Sequence, residues 1–397
     1  MSHIRTLDQA DVAGKRVLLR VDFNVPLRGK TILDDTRIRA CIPTIQYLLD
    51  HDARLIILSH LGRPSGEGFQ KEFSLGPAAA RLEEIIGRPV QMAQDVIGPD
   101  AHAKAEALQD GEVLLVENLR FDAREKLKDP TFTKELASLG EIFVNDAFGA
   151  AHRDHASISG IPEHLPSYAG LLLQKEVQTL SSMLDNPKRP FVAILGGSKV
   201  SDKVAIINSL IDRCDTLIIG GGMCFTFLLA QGKPVGDSLK ELEWIGRAAL
   251  MLERAEQKGV KILLPVDVVA ADRFSPDAAT VTVDIDSIPE DMMGMDIGPE
   301  TDKLFTDAIM GAGTVFWNGP MGVFEMDAFA AGTHEVALAC AENTTADTII
   351  GGGDSVSAVN KFGLTDKMTF ISTGGGASMK LVEGSPMPGV EALKEGE

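Results

Sequence analysis

Apolar residues along this chain gather into short continuous runs, separated by stretches where they recur every three or four positions. The runs predict strands at 15–23, 53–60, 112–118 and 141–148 in the first half. In the second half they fall at 190–197, 215–222, 261–269, 314–320, 347–354 and 367–376. The intervening pattern predicts amphipathic helices at 36–51, 75–87, 133–140, 199–213, 239–258, 327–341 and 354–361. A strand that is apolar at every position is buried on both faces, as in a parallel sheet covered by helices. Two such sets predict an α/β fold of two doubly wound parallel-sheet (Rossmann-like) domains. The stretch 161–190 opens with prolines, continues as an amphipathic helix and closes at Asn186-Pro187. It predicts a hinge helix joining a domain at 1–170 to one at 190–379, with 171–189 as the linker.

Size and composition narrow the classes. A chain of 397 residues suits two domains. No run of about 20 apolar residues is present, so no membrane span is expected. The start, "MSHIRTLDQADVAGKR", lacks the apolar core of a secretion signal, so a cytoplasmic location is expected. Cys41, Cys214, Cys224 and Cys340 are scattered without a C-x-x-C pair, which fits reduced thiols and argues against a zinc or redox cysteine site. The formal charge of -19 argues against nucleic acid or anionic membranes as partners. Arginine is nevertheless uneven, with thirteen of eighteen in the first 170 residues, and only His334 among the histidines lies beyond that point. An acidic chain that concentrates arginine in one half has the means to hold a small anion there.

Ligands of open parallel sheets bind beyond the carboxyl ends of the strands. In the first half those ends carry Asp22 and Asn24, His60 and Arg63, Asn118 and Arg120, Asn145 and Asp146, then His152, Arg153 and His155. Arg37 and Arg39 open the helix after the first strand. One arginine at such a position is ordinary surface; several converging on one edge make a bidentate trap for phosphate or carboxylate.

In the second half the strand ends carry glycine instead: 196–197, 220–222, 319 and 322, 351–353 and 374–376. Glycine admits a ligand close to the backbone. The stretch "FVAILGGSKVSDK" (191–203) reads as strand, tight turn and helix start, a geometry that holds phosphate on N–H groups. It is neither the P-loop, because Ser198 separates Gly197 from Lys199, nor a G-x-G-x-x-G turn. Lys199 and Lys203 are four apart and are expected on one helix face. Asp354, at a helix start after three glycines, is a candidate Mg²⁺ ligand or a simple N-cap. One half thus looks built for a small polyanion and the other for a nucleotide with a metal. A hinge between them suits phosphoryl transfer, where closure aligns substrates and excludes water. A nicotinamide dehydrogenase would need the absent G-x-G-x-x-G turn. A hinged binding protein would need neither the lysines nor the aspartate and usually carries a signal peptide.

The segments "RVDFNVP" (20–26), "DDTRI" (34–38), "SHLGRP" (59–64), "ENLRF" (117–121), "NDAFGAAHR" (145–153), "GGSKVSDK" (196–203), "IIGGGM" (218–223), "WNGPMGVFE" (317–325), "GGGDS" (351–355) and "STGGGAS" (372–378) resemble the phosphoglycerate kinase family, in its order and over nearly the whole chain. The resemblance implies an N-terminal domain that binds 3-phosphoglycerate or 1,3-bisphosphoglycerate through Asp22, Asn24, Arg37, His60, Arg63, Arg120 and Arg153. It implies a C-terminal domain that binds ADP or ATP with Mg²⁺ through Gly197, Lys203, Gly221, Gly222, Asn318, Val323, Glu325, Gly351, Gly352, Gly353, Asp354 and Ser355. Asp354 would hold the metal. The tail, 380–397, would return to the N-terminal domain, and the molecule would be a monomer. Three positions depart from the family pattern: Ser198 in "GGSK", Met379-Lys380 after "GGGAS", and Gln174 in the linker helix. They are expected to alter closure, not chemistry. In the catalytic roles implied, Arg37 and Lys199 contact the equatorial oxygens of the transferring group, helped by the N–H groups of Gly374 and Gly375.

Overall fold

A computed structural model describes residues 4–394. The last three residues of the tail expected to return, 395–397, and the first three of the chain lie outside the described residues. The chain forms two compact units. One runs from the N-terminus to Gln178 and takes up the chain again from Pro386; the other is Thr179–Ser385. The division falls inside the helix Leu171–Asp185.

Each unit is built on a six-stranded parallel sheet. In spatial order the first is Val90–Met92, Val113–Leu115, Arg54–Leu58, Arg16–Arg20, Ile142–Asn145 and Ser167–Ala169. The second is Lys261–Leu263, Thr216–Ile219, Phe191–Leu195, Thr314–Asn318, Asp347–Ile350 and Phe370–Ile371. Successive strand residues face opposite sides. Val17, Leu19, Leu55 and Ile57 therefore enter one core of the first unit, and Leu18, Ile56, Leu58 and Phe143 the other. Each such side chain, fully buried, contributes roughly 1.5–3 kcal/mol. This two-sided burial is why the strands read as unbroken apolar runs. In both sheets the order reverses beside the first strand, and a crevice opens there beyond the strand ends.

The expected strand 261–269 is two elements. Pro265 cannot donate to a ladder, so the parallel strand ends at Leu263. Asp267–Ala271 instead pairs antiparallel with Thr280–Asp284 and Met293–Ile297. The expected helix 36–51 is also two, Thr36–Ala40 and Ile42–Asp50, broken at Cys41 shortly before Pro43. The helix expected from 199 begins only at Val204. The Ser201 backbone N–H (3.0 Å) and Oγ (2.6 Å) both donate to Glu241, holding 198–203 as turns. Lys199 and Lys203 therefore do not share a helix face.

Residues after Pro386 pack on the first unit. The Gly389 N–H donates to Ala151 O (2.9 Å) and that of Arg5 to Leu393 O (2.8 Å); Ile4 and Lys394 form a β-bridge. Among the described residues no helix is long and apolar enough to cross a membrane. All four cysteines are free and buried.

Candidate active site

In the N-terminal unit the strand Arg16–Arg20 and its neighbours deliver charged side chains to one edge. Asp22 receives Arg37, Nη1 to Oδ2 at 3.1 Å, and Arg37 also donates to Asn24 O at 3.2 Å. The Asn24 side chain accepts the Gly62 N–H (2.9 Å), and Arg120 donates to Gly62 O (2.7 Å). His60 is buried, its Nε2 3.9 Å from Asp22 Oδ1. Arg63 and Arg153 are exposed. Burial, reinforced by Arg153 and Arg20, lowers the Arg120 pKa to about 10. Burial and then the fields of Arg20, Arg120, Arg153 and Arg37 push His60 well below its ordinary value. His155 falls to about 4, by burial and then the fields of Arg20, Arg120, Arg153 and Lys126. Both imidazoles are neutral in a field that favours an anion.

Other strand-end residues turn away. Asn118 is consumed by loop contacts: its Nδ2 donates to Leu61 O and Phe73 O at 2.7 and 2.9 Å, and its Oδ1 accepts from Leu61 and Arg120 N–H. Arg39 pairs with Asp35 (3.0 Å). Asp146 caps the helix Leu171–Asp185, accepting the Leu172 and Leu173 N–H groups at 2.9 and 3.2 Å. A cavity of about 1170 Å³ lies between the hairpin Leu27–Ile32 and the helix Gly76–Ile86. Its Arg81 is held by Asp35 and Glu84, and none of the strand-end arginines lines it.

Sequence reasoning passed over Arg20, Ser157 and Glu125, all buried beneath this cluster. Arg20 carried a signal, being an arginine inside an unbroken apolar run. Glu125 and Ser157 carried none, because their partners are distant in sequence.

In the C-terminal unit two cavities adjoin at the point where strand order reverses. One, about 310 Å³, is lined by Gly196, Gly197, Ser198, Lys199, Asp202, Lys203, Asn318, Gly319, Gly352, Gly353, Asp354, Ser355, Gly375, Gly376 and Met379. The other, about 680 Å³, shares Gly197, Ser198 and Asp354 and adds Gly221, Gly222, Val323 and Glu325 beside Phe225, Leu239, Phe274 and Met293. The first is polar and faces two helix starts, Val204–Ile211 and Gly353–Lys361, where no side chain caps the N–H groups. The second has an apolar wall. A phosphate chain and a flat base match this pairing in size and chemistry.

Backbone geometry fixes the glycines. Gly352 has φ +86°, and a Cβ there would overlap the Asn318 amide. Gly197, at φ +101°, Gly353 and Gly375 would each project a Cβ into open space. Asn318 Nδ2 donates to Gly351 O (2.7 Å), and Lys203 Nζ donates to Asn318 Oδ1. Burial lowers the Lys203 pKa, against the raising field of Asp354. Ser355 is buried and accepts the Gly319 N–H (2.6 Å); Gly351 is buried behind the wall. The Gly374 N–H donates to Ser372 Oγ (3.2 Å), whereas Gly375 lines the cavity. Lys199 and Asp354 are exposed. Lys380 pairs with Glu383 (2.7 Å), and Met379 lines the smaller cavity. Among the described residues no three His, Cys, Asp or Glu are grouped to hold a metal ion. The exposed Asp354, with Asp202 on the same cavity, fits a Mg²⁺ that keeps waters and takes its other ligands from phosphates.

Two parallel α/β units, one with a charged strand edge and one with glycine-lined cavities, define a class of two-domain α/β fold, and the relatives say which. A family model described as phosphoglycerate kinase matches residues 7–385. A phosphoglycerate kinase of Moorella thermoacetica is 54% identical over 390 residues, covering 98% of this chain and 99% of that protein. One of Synechococcus elongatus is 54% identical over 396 residues, covering 99% and 98%. The solved phosphoglycerate kinase of Coxiella burnetii superposes with a TM-score of 0.91 at 41% identity, over 98% of this chain and 99% of that one. The Pyrococcus horikoshii enzyme gives 0.84 at 31%, over 98% of each. The chain belongs to the phosphoglycerate kinase family.

Proposed function

We propose that this kinase moves a phosphoryl group reversibly between 1,3-bisphosphoglycerate and ADP, acting as a monomer in the cytoplasm. The observation that carries the reading is the contrast between a side-chain anion cluster in one unit and a backbone-lined, nucleotide-sized pair of cavities in the other. The acid substrate belongs to Asp22, Asn24, Arg37, His60, Arg63, Arg120 and Arg153. The nucleotide belongs to the glycine cavities, with Lys203 and the helix starts on its phosphates and the apolar wall on its base. Asp354 would hold the Mg²⁺ that accompanies the nucleotide, and the ion would neutralise phosphate charge.

In the direction of acyl phosphate synthesis the nucleophile is a carboxylate, ionised at neutral pH because its pKa is about 3–4. No general base is required, which accords with two neutral, pKa-depressed histidines. The work that remains is positioning and charge stabilisation. Arg37, Lys199 and the Gly375 N–H are assigned to the transferring group. Gly374 is assigned to shaping the turn unless its N–H leaves Ser372. In-line transfer requires the two substrates to meet, and the helix Leu171–Asp185 is the segment we assign to that movement.

The test is a coupled assay of ATP-dependent 3-phosphoglycerate phosphorylation, with and without Mg²⁺, on wild type and Arg37→Ala. Mg²⁺-dependent turnover that collapses in the variant is expected. A folded wild type that binds nucleotide without turnover would sink the reading.

A further inference from the structure

Behind the anion cluster runs a buried line of hydrogen bonds that the transfer chemistry does not itself use. Glu125 is 1% exposed and accepts the Ser157 N–H (3.0 Å) and Oγ–H (2.6 Å). Ser157 Oγ accepts from Arg20 Nε (2.8 Å). Arg20 Nη1 donates to Val21 O, and Nη2 lies 3.1 Å from His60 Nδ1. A guanidinium has only donors, so Nδ1 of His60 must be the acceptor and its ring proton must sit on Nε2. That N–H faces the Asp22 side of the site.

We propose that Ser157 and Glu125 are positioning residues for His60: by seating Arg20 against Nδ1 they hold the imidazole as a neutral Nε2–H donor for the carboxylate end of the acid substrate. The proposal rests on the substrate reading given above. The charged groups around the ring are Arg20 from the strand Arg16–Arg20, Asp22 beyond it, Arg37 from the helix Thr36–Ala40, Arg120 from the turn Leu119–Phe121, and Arg153. Burial, and then four cations against one carboxylate, keep the ring unprotonated. The charge of Arg20, 1% exposed, is answered by Glu125, bridged to it through Ser157, and by Asp22. The arrangement has a chemical consequence. The ring's lone pair is spent on Arg20, so His60 presents a donor and no base. An acyl phosphate held there finds no lone pair on His60 to take a proton from water.

The test combines nitrogen NMR of His60 with kinetics. In wild type between pH 6 and 8, Nδ1 should report a hydrogen-bonded acceptor and Nε2 a protonated nitrogen. Ser157→Ala should move the Nδ1 signal and raise KM for 3-phosphoglycerate roughly tenfold, the size of one buried charge-assisted bond. KM for ATP should stay within about twofold by the same reasoning, since its cavities lie in the other unit. Glu125→Gln, which keeps shape and removes charge, should act in the same direction, and Ser157→Thr should restore both readouts. A wild-type proton on Nδ1 overturns the proposal without recourse to any variant. So does a folded Ser157→Ala with an unmoved Nδ1 signal or an unchanged KM. If wild type shows the expected tautomer but no phosphorylation of 3-phosphoglycerate, the substrate reading fails instead.

Discussion

The two units present their strand ends to ligand in opposite ways. The N-terminal edge speaks through side chains: Arg37 on Asp22, Arg120 on Gly62, and His60 backed by Arg20. The C-terminal edge is nearly stripped of side chains, and its glycines leave N–H groups and space. The difference follows ligand size. A small acid with several charges has few atoms, so each must be met by a directed, bidentate group. A nucleotide is long, and a lining of backbone dipoles can follow it without a rotamer to order. One surface fails when a charge is removed, the other when a methyl group is added.

The sharpest break is Arg37→Ala. Turnover at saturating substrate should fall about 10²–10³-fold, as for a lost donor to the transferring group, with nucleotide affinity intact. Near-normal turnover in the coupled assay would remove Arg37 from the chemistry. Next is Gly352→Ala, which sets a Cβ against Asn318 at a φ of +86°. The cost is about 1–3 kcal/mol of strain, or roughly a tenfold or larger loss of ATP affinity by calorimetry. Affinity for 3-phosphoglycerate should not move; if it does, the two edges are not independent. Asp354→Asn should weaken ATP binding about tenfold in Mg²⁺ and much less in its absence. Equal loss in both conditions would make Asp354 a charge in the first turn of its helix and not a metal ligand.

The smallest effect concerns stability. Burial, then Glu335 and Asp267, raise the Asp302 pKa to about 7, and its Oδ1 is buried without a hydrogen-bond partner. The folded unit thus holds a proton there that the unfolded chain releases above about pH 4. Stability from this group is complete below that pH and is lost as pH rises through 7. Asp302→Asn should therefore raise Tm at pH 8 by roughly 2–4 °C, the part-exposed carboxyl being screened, and leave it unchanged at pH 4. Equal gains at both pH values would mean that the charge is not the cause.

The ten apolar runs were legible because two-sided burial leaves few polar positions in a central strand. The small antiparallel sheet was not. Thr280–Asp284 is mostly exposed, and Asp267–Ala271 reads as a continuation of the strand before Pro265. The glycines and arginines of the site announced themselves by their place at strand ends. What that logic missed was depth: Asn118 and Asp146 occupy strand ends yet are spent on the scaffold, while Arg20 sits within a strand and serves the site. Lys199 was misplaced because a local period predicts a helix where Glu241, forty residues on, holds a turn.

The chain after Pro386 completes the N-terminal unit, with Gly389 on Ala151 and Leu393 on Arg5. Synthesis is vectorial, and domains generally fold as units while the chain emerges. Here the order is inverted at the finish. The unit made first keeps its edge beside Arg5 and Ala151 uncovered until the whole of the second, and the segment after Pro386, has been made.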